Sequence, residues 1–220
     1  MKNLKALITL DYQLIRPYWK YWVMFFGIAL FMSIVNQAGE VFMLSLPIFA
    51  ATIMAFPFES ADKSNLNVLY ATLPTNRKSM VTARYIFIMI SLAITIVLAV
   101  VFSMVVDWMF DNVIYGFVIG TLLCIAIAIF LLVVSIQTPF LYKHGYTKGR
   151  IFMWIPLIVV IIVINLPALF NVLNLDIEFN IFEIMFRNTT LTSILSLFVG
   201  VAAITTSYFV SLKFYLKKDF

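Results

Sequence analysis

From Tyr85 to Val106 the chain carries no Asp, Glu, Lys, Arg or His, and most of its side chains are Ile, Leu, Val, Ala, Phe and Met. A run of that length has few ways to fold. About 20 apolar residues in a helix cross the ~30 Å hydrocarbon layer of a bilayer, and within that layer every backbone N–H and C=O must find a partner inside the protein. A helix meets both demands at once. The pattern recurs along the chain, so six spans are expected: Trp19–Gln37, Val41–Phe58, Tyr85–Val106, Ile114–Ile136, Ile151–Asn171 and Leu191–Leu212. Composition agrees, with 64% hydrophobic and 11% charged residues against about 25% charged in soluble domains. Mean hydropathy is +1.05. The expected fold is all-α, a polytopic membrane protein forming one transmembrane domain over residues 1–220, with the lipid bilayer as its solvent.

The charges give the orientation. Lys and Arg collect in segments that remain in the cytoplasm. With a cytoplasmic N-terminus the inner segments are 1–20, 59–84, 137–150 and 213–220, and they hold 14 of the 15 basic residues, leaving only Arg187 outside. Both termini are then cytoplasmic, in a plasma membrane. Glu40, Asp107, Asp111, Asp176, Glu178 and Glu183 fall on the outer side. The net charge of +5 is thus a topology signal, and no nucleic-acid partner is expected.

The opening "MKNLK" could begin a signal peptide, but no apolar core follows directly, and the first span reads as a retained helix. Residues 1–18 fit an amphipathic interfacial helix. Lys2, Lys5, Thr9, Gln13 and Arg16 share one face, while Leu4, Leu7, Ile8, Tyr12 and Ile15 share the other. Asp11 is the misfit, lying near the apolar arc.

The inner segment 59–84 is more organised than a connector needs to be. Ser64 can cap a short helix in which Leu66, Leu69, Tyr70 and Leu73 recur at helical spacing. Pro74 ends it, because proline lacks the N–H and fixes φ. Thr75 can cap a second helix that carries Arg77, Lys78 and Arg84 into the third span. The apolar stripe either rests on the membrane or serves as a knob for a soluble partner. On the outer side, residues 173–190 form an amphiphilic loop whose period is too irregular to assign.

Catalytic chemistry is not evident. One Cys and one His support neither a disulfide nor a zinc site. There is no phosphate-binding G-x-x-x-x-G-K-[ST], the "GYTKG" of 145–149 lacking its spacing and context, and no G-x-G-x-x-G. His144 sits in a basic loop. Away from their ends the six spans contain no Asp, Glu, Lys, Arg or His, although ion-coupled transporters place ionisable groups at mid-membrane. No catalytic, cofactor-binding or metal-ligating residues are therefore expected, and a transporter of this design must take its energy from a partner.

A six-span chain with an interfacial N-terminal helix and a short inner helix between spans two and three resembles an ABC-2-type exporter permease. The stretch "FESADKSNLNVLYATLPTNRKSMVTARYI" is similar to the small bacterial members through Glu59, Asp62-Lys63, Leu66, Leu69, Leu73-Pro74, Arg77-Lys78, Val81 and Arg84-Tyr85. The stretch "TPFLYKHGYTKGR" is similar through Pro139, Gly145, Lys148 and Arg150. The resemblance implies that residues 64–78 dock into a separate ABC ATPase, which binds ATP and Mg. Leu66, Leu69, Tyr70 and Leu73 would form the knob, Pro74 the corner, and Arg77 and Lys78 the charge contacts. It also implies a second permease copy or a sister permease, a bacterial cell membrane, and an amphipathic cargo such as a peptide of the phenol-soluble modulin type. Two other readings stand beside it. One is a regulatory or immunity-type membrane protein without transport of its own. The other is a membrane enzyme acting on lipids through Asp107 and Asp111.

Overall fold

In a computed structural model of the chain, residues 2–64, 77–112, 116–172 and 188–217 are described, with the side chains of 2–5, 77, 116–118 and most of 147–172 left aside. The described residues are helical, with short turns between. The helices are α1 (Lys2–Ile15), α2 (Trp19–Val35), α3 (Gly39–Ile53), α4 (Phe56–Lys63), α5 (Arg77–Met109), α6 (Gly116–Val172) and α7 (Thr189–Leu216).

Among the described residues five helical stretches are long and apolar enough to cross a membrane: Ala6–Val35, Gly39–Lys63, Lys78–Met109, Ile119–Tyr146 and Thr189–Leu216. They carry the first, second, third, fourth and sixth expected spans. The remaining expected span, Ile151–Asn171, falls on the second arm of α6. That helix is divided at Gly145, where φ of +72° and ψ of 174° leave the helical region. The arms are residues 116–144 and 146–172. At ~1.5 Å per residue each exceeds the ~30 Å of hydrocarbon.

Two expected boundaries move. The N-terminal helix is separated from α2 only by the 3-10 turn Arg16–Tyr18, with Pro17 near its start. The second span is interrupted at Met54 and Ala55, whose N–H groups bond the carbonyls of Ala51 and Thr52 at 3.3 Å each. These are the tighter i→i+3 bonds that mark a break in an α-helix. Helix α4 then restarts with proline in its first turn, where the missing N–H costs nothing.

The central element is α3, which packs on α2, α5 and α6, while α7 lies along α6. Phe42, Leu46, Ala51 and Ile53 of α3 are fully buried. Phe26 meets Phe42 and Phe102 edge-on at 5.4 and 4.9 Å, joining α2, α3 and α5. Gly200 lets α7 approach α6 closely, since a Cβ there would lie 3.1 Å from Leu131 and 3.2 Å from the Ala128 backbone. Large apolar side chains instead cover the outside: Phe31, Val97, Trp108, Ile194, Phe198 and Phe209 are all exposed. That inversion of a soluble protein's surface is what a lipid solvent calls for.

Some of the polar residues inside are satisfied within their own helix. Thr95 and Thr138 hydroxyls donate to the carbonyls four residues back, at 2.8 Å each, a bond available to Ser and Thr in any helix. Between helices, the Tyr85 hydroxyl bonds Ser207 at 2.7 Å and Ser211 at 2.9 Å, joining α5 to α7.

At one end of the bundle the turn between α2 and α3 is pinned by the end of α5. Helix α3 has no side-chain cap of its own at Ala38. Instead the Gly39 N–H donates to Asp107 Oδ1 at 2.8 Å, a carboxylate placed at the positive end of a helix dipole. Asn112 donates to the Gln37 carbonyl at 2.6 Å, and Gln37 takes a φ of +53°. Gly39 is required here, because a Cβ would collide with Asp107 and with the Ser103 carbonyl.

Candidate functional site

At the opposite end, where exposed Lys20, Lys63, Lys78, Lys143, Lys213 and Lys217 gather, five helical segments meet around one buried ion pair. Asp11 of α1 and Arg84 of α5 are almost fully buried. Arg84 Nη2 lies 2.6 Å from Asp11 Oδ1, and Nε donates to Oδ2 at 3.0 Å. This is the two-pronged geometry that makes Arg–carboxylate pairs strong and directional. Asp11 had looked out of place on the apolar arc of α1. Leu7 and Ile15 of that arc face protein while Tyr12 is exposed, and Asp11 adds the ion pair that joins α1 to α5.

Around the pair the other helices are stacked in sequence. The Arg84 guanidinium lies over the Phe58 ring of α4, 4.4 Å from its centroid, a favourable cation–π arrangement when desolvated. Phe58 meets Tyr142 of α6 edge-on at 5.0 Å. Tyr142 meets Tyr215 of α7 at 5.3 Å, and the Tyr215 hydroxyl donates to Met80 Sδ of α5 at 3.1 Å. The Ser60 hydroxyl of α4 donates to the Leu14 carbonyl of α1 at 3.0 Å. Asp62 of α4 accepts the Tyr146 N–H where α6 breaks. A cavity of about 50 Å³ remains between Asp11, Phe58, Asp62, Arg84, Tyr142 and Tyr215, large enough for a water molecule.

This junction brackets the segment singled out in the sequence. Helix α4 ends at Lys63, with the Ser64 hydroxyl bonded back to the Ser60 carbonyl. Ser64 thus closes one helix, and the next helix, which the sequence suggested that it opens, lies outside the described residues. Helix α5 begins at Arg77. Leu66, Leu69, Tyr70, Leu73 and Pro74 lie outside the described residues. Arg77 opens the third span's helix, and Lys78 is exposed on its first turn. Most of the outer loop 173–190 lies outside the described residues as well.

The residues that the sequence did not single out as a site are those that join helices: Asp11, Asp62, Arg84, Tyr142 and Gly145. The isolated acid on an apolar face was one signal, and the family resemblance, which runs through Asp62, Arg84 and Gly145, was another. Asp107 and Asp111, the only pair considered for lipid chemistry, are divided by environment. Asp107 is buried on Gly39, and Asp111 is exposed with a φ of +53°. Among the described residues no three His, Cys, Asp or Glu side chains come together to hold a metal. What the basic-end junction offers is contact: α4 and α5, which flank residues 65–76, meet α1, α6 and α7 there through directly touching residues.

No match was found among curated proteins or solved structures. A family model described as an ABC-2 family transporter protein matches residues 6–216. The chain belongs to that family.

Proposed function

We propose that this ABC-2 family chain is the permease half of an ATP-driven exporter, powered by a separate ABC ATPase that docks on residues 64–78. In this reading the chain has six spans with both termini in the cytoplasm, and the segment lies on the ATPase side of a bacterial plasma membrane. Leu66, Leu69, Tyr70 and Leu73 supply the apolar knob and Pro74 the corner, while Arg77 and Lys78 contact acidic groups of the ATPase or lipid headgroups. The chain has no ATP site and is not itself an enzyme. A second copy or a sister permease completes the pathway, and the cargo is amphipathic or hydrophobic, such as a peptide. The observation that carries the reading is the family match over residues 6–216. The position of the segment supports it, between two helices that both enter the buried junction.

The test is purification of the tagged protein from its native membrane in mild detergent, followed by mass spectrometry. An ABC ATPase at near-equal stoichiometry is expected, and it should be lost when Tyr70→Asp or Leu73→Asp is introduced while membrane insertion is unchanged. A second six-span protein in the same sample would make the complex heteromeric. Retention of the ATPase by both variants would overturn the docking assignment. Recovery of no ATPase from the unmodified protein would favour a regulatory role.

A further inference from the structure

We infer that Asp62 is the positioning residue that ties α4 to the second arm of α6, so that a displacement of α4 is handed to the helix beginning at Tyr146. The inference rests on the proposed function for its direction of drive, whereas the tie itself is read from the geometry at Asp62, Gly145 and Tyr146.

Three observations converge on Asp62. The first is its place in the chain: it lies in the last turn of α4, three residues before the segment begins. The second is its bond. Its Oδ2 accepts the backbone N–H of Tyr146, 84 residues away. The arm 146–172 starts immediately after a break in the helix, so its first N–H groups have no partner within the arm. A carboxylate placed there satisfies one of them and meets the positive end of the arm's dipole. The third is Gly145. Its φ of +72° is a conformation that residues with a Cβ rarely adopt. A Cβ built there would lie 3.0 Å from Asp62 Oδ2. Glycine therefore provides both the bend and the room for the carboxylate to reach past it.

The surroundings make the tie a route for motion. Elsewhere α4 is held by contacts that can shift with it: Ser60 on α1, and Phe58 beneath Arg84 and against Tyr142. Tyr142 belongs to the first arm of α6, three residues before the break. Helix α4 therefore touches both arms of α6, through Phe58 on one side of Gly145 and Asp62 on the other. A rigid displacement of α4 changes the angle between the arms by pulling on the second. Hinges of this kind are a few residues at element ends that absorb the change in φ and ψ.

The experiment uses the full chain in lipid nanodiscs with Cys124→Ala and spin labels on Lys63→Cys and Lys148→Cys. The expected result is one narrow distance distribution. Asp62→Ala and Gly145→Ala should each add a longer population. Asp62→Asn, which keeps an acceptor oxygen, should leave the distribution narrow, separating loss of the bond from loss of folding. A distribution unchanged in Asp62→Ala would overturn the inference. A second arm adds the copurified ATPase, ATP and vanadate, with a reference label on Lys217→Cys. Distances from 63 and from 148 to 217 should change together, and in Asp62→Ala only the first should change. If residue 148 fails to follow residue 63 in the otherwise unmodified chain, the inference falls. If neither moves although the ATPase is bound, the coupling role falls and with it the proposed function, whatever the first arm has shown of the bond.

Discussion

The Asp11–Arg84 pair should be what keeps α1 docked, and its removal should free that helix without dissolving the bundle. Apart from the pair, α1 is held by buried Leu7 and Ile15 and by the Ser60 bond to Leu14. In water, burying two such aliphatic side chains would be worth about 1.5–3 kcal/mol each. Beside a membrane, however, released leucine and isoleucine find lipid that is as apolar as the protein they left. The hydrogen bond adds about 1 kcal/mol. The buried pair is different. Asp11→Ala leaves a guanidinium in the interior without its counter-ion, and breaking buried pairs in this way costs about 3–5 kcal/mol. At ~1.36 kcal/mol per tenfold, undocking should become roughly 10²- to 10⁴-fold more frequent.

Hydrogen exchange of the α1 amides in nanodiscs, read by mass spectrometry, measures that frequency. Asp11→Ala and Arg84→Met should each exchange faster by such a factor. The double variant Asp11→Leu with Arg84→Met should return much of the protection, because an apolar pair of similar volume replaces the ion pair without stranding a charge. Raising salt from ~0.05 to ~0.5 M should change little, since buried charges are poorly screened. The reasoning is refuted if either single variant exchanges like the unmodified chain, or if the double variant is as fast as the two singles multiplied together.

At the other end of the bundle, Asp107→Ala should destabilise the α2–α3 turn by about 1–2 kcal/mol, as expected for loss of a helix cap. Asp107→Asn should do so far less, and thermal unfolding in detergent can rank the two. Gly39→Ala should be worse than either, because the added Cβ meets Asp107 and the Ser103 carbonyl; a melting temperature equal to that of the unmodified protein would disprove the close approach. Tyr85→Phe removes the bonds to Ser207 and Ser211 and should cost about 1 kcal/mol, at ~0.6 per inter-helix bond in a membrane. Glu59→Gln breaks the ion pair with the exposed Lys63 and should leave the melting temperature unchanged. Gly200→Leu should separate α7 from α6 and lower the yield of folded protein, measured by size-exclusion profile.

Much of this architecture was legible in the sequence, and the limit follows from what periodicity can see. Each span is a local property, so a run such as Tyr85–Val106 identifies its helix unaided. The rest depends on residues far apart in the chain. Gly145, dismissed as half of an unconvincing phosphate loop, is there for a backbone conformation that a motif comparison does not register. Arg84 counted as one more basic residue in a topology tally, although it is buried. Nothing in the spacing of the phenylalanines marks Phe26, Phe42 and Phe102, which pack on one another.

In a lipid solvent, apolar burial does not distinguish the right neighbouring helix from the wrong one, so register must come from polar contacts and close packing. This chain has ten acidic residues, and among the described ones three supply such contacts over long range. Asp11 reaches Arg84 across 73 residues, Asp62 reaches Tyr146 across 84, and Asp107 reaches Gly39 across 68. Two of the three hold the N-terminal end of another helix, where a carboxylate is worth most. All three are aspartates, whose short side chains lose less rotamer freedom on burial than glutamate would. The positive charges of the chain distribute along its length and carry the expectation for its orientation, whereas these three negative ones join particular helices. Neutralising them singly should therefore disturb helix-to-helix geometry and leave membrane insertion intact, a separation that removing the lysines would reverse.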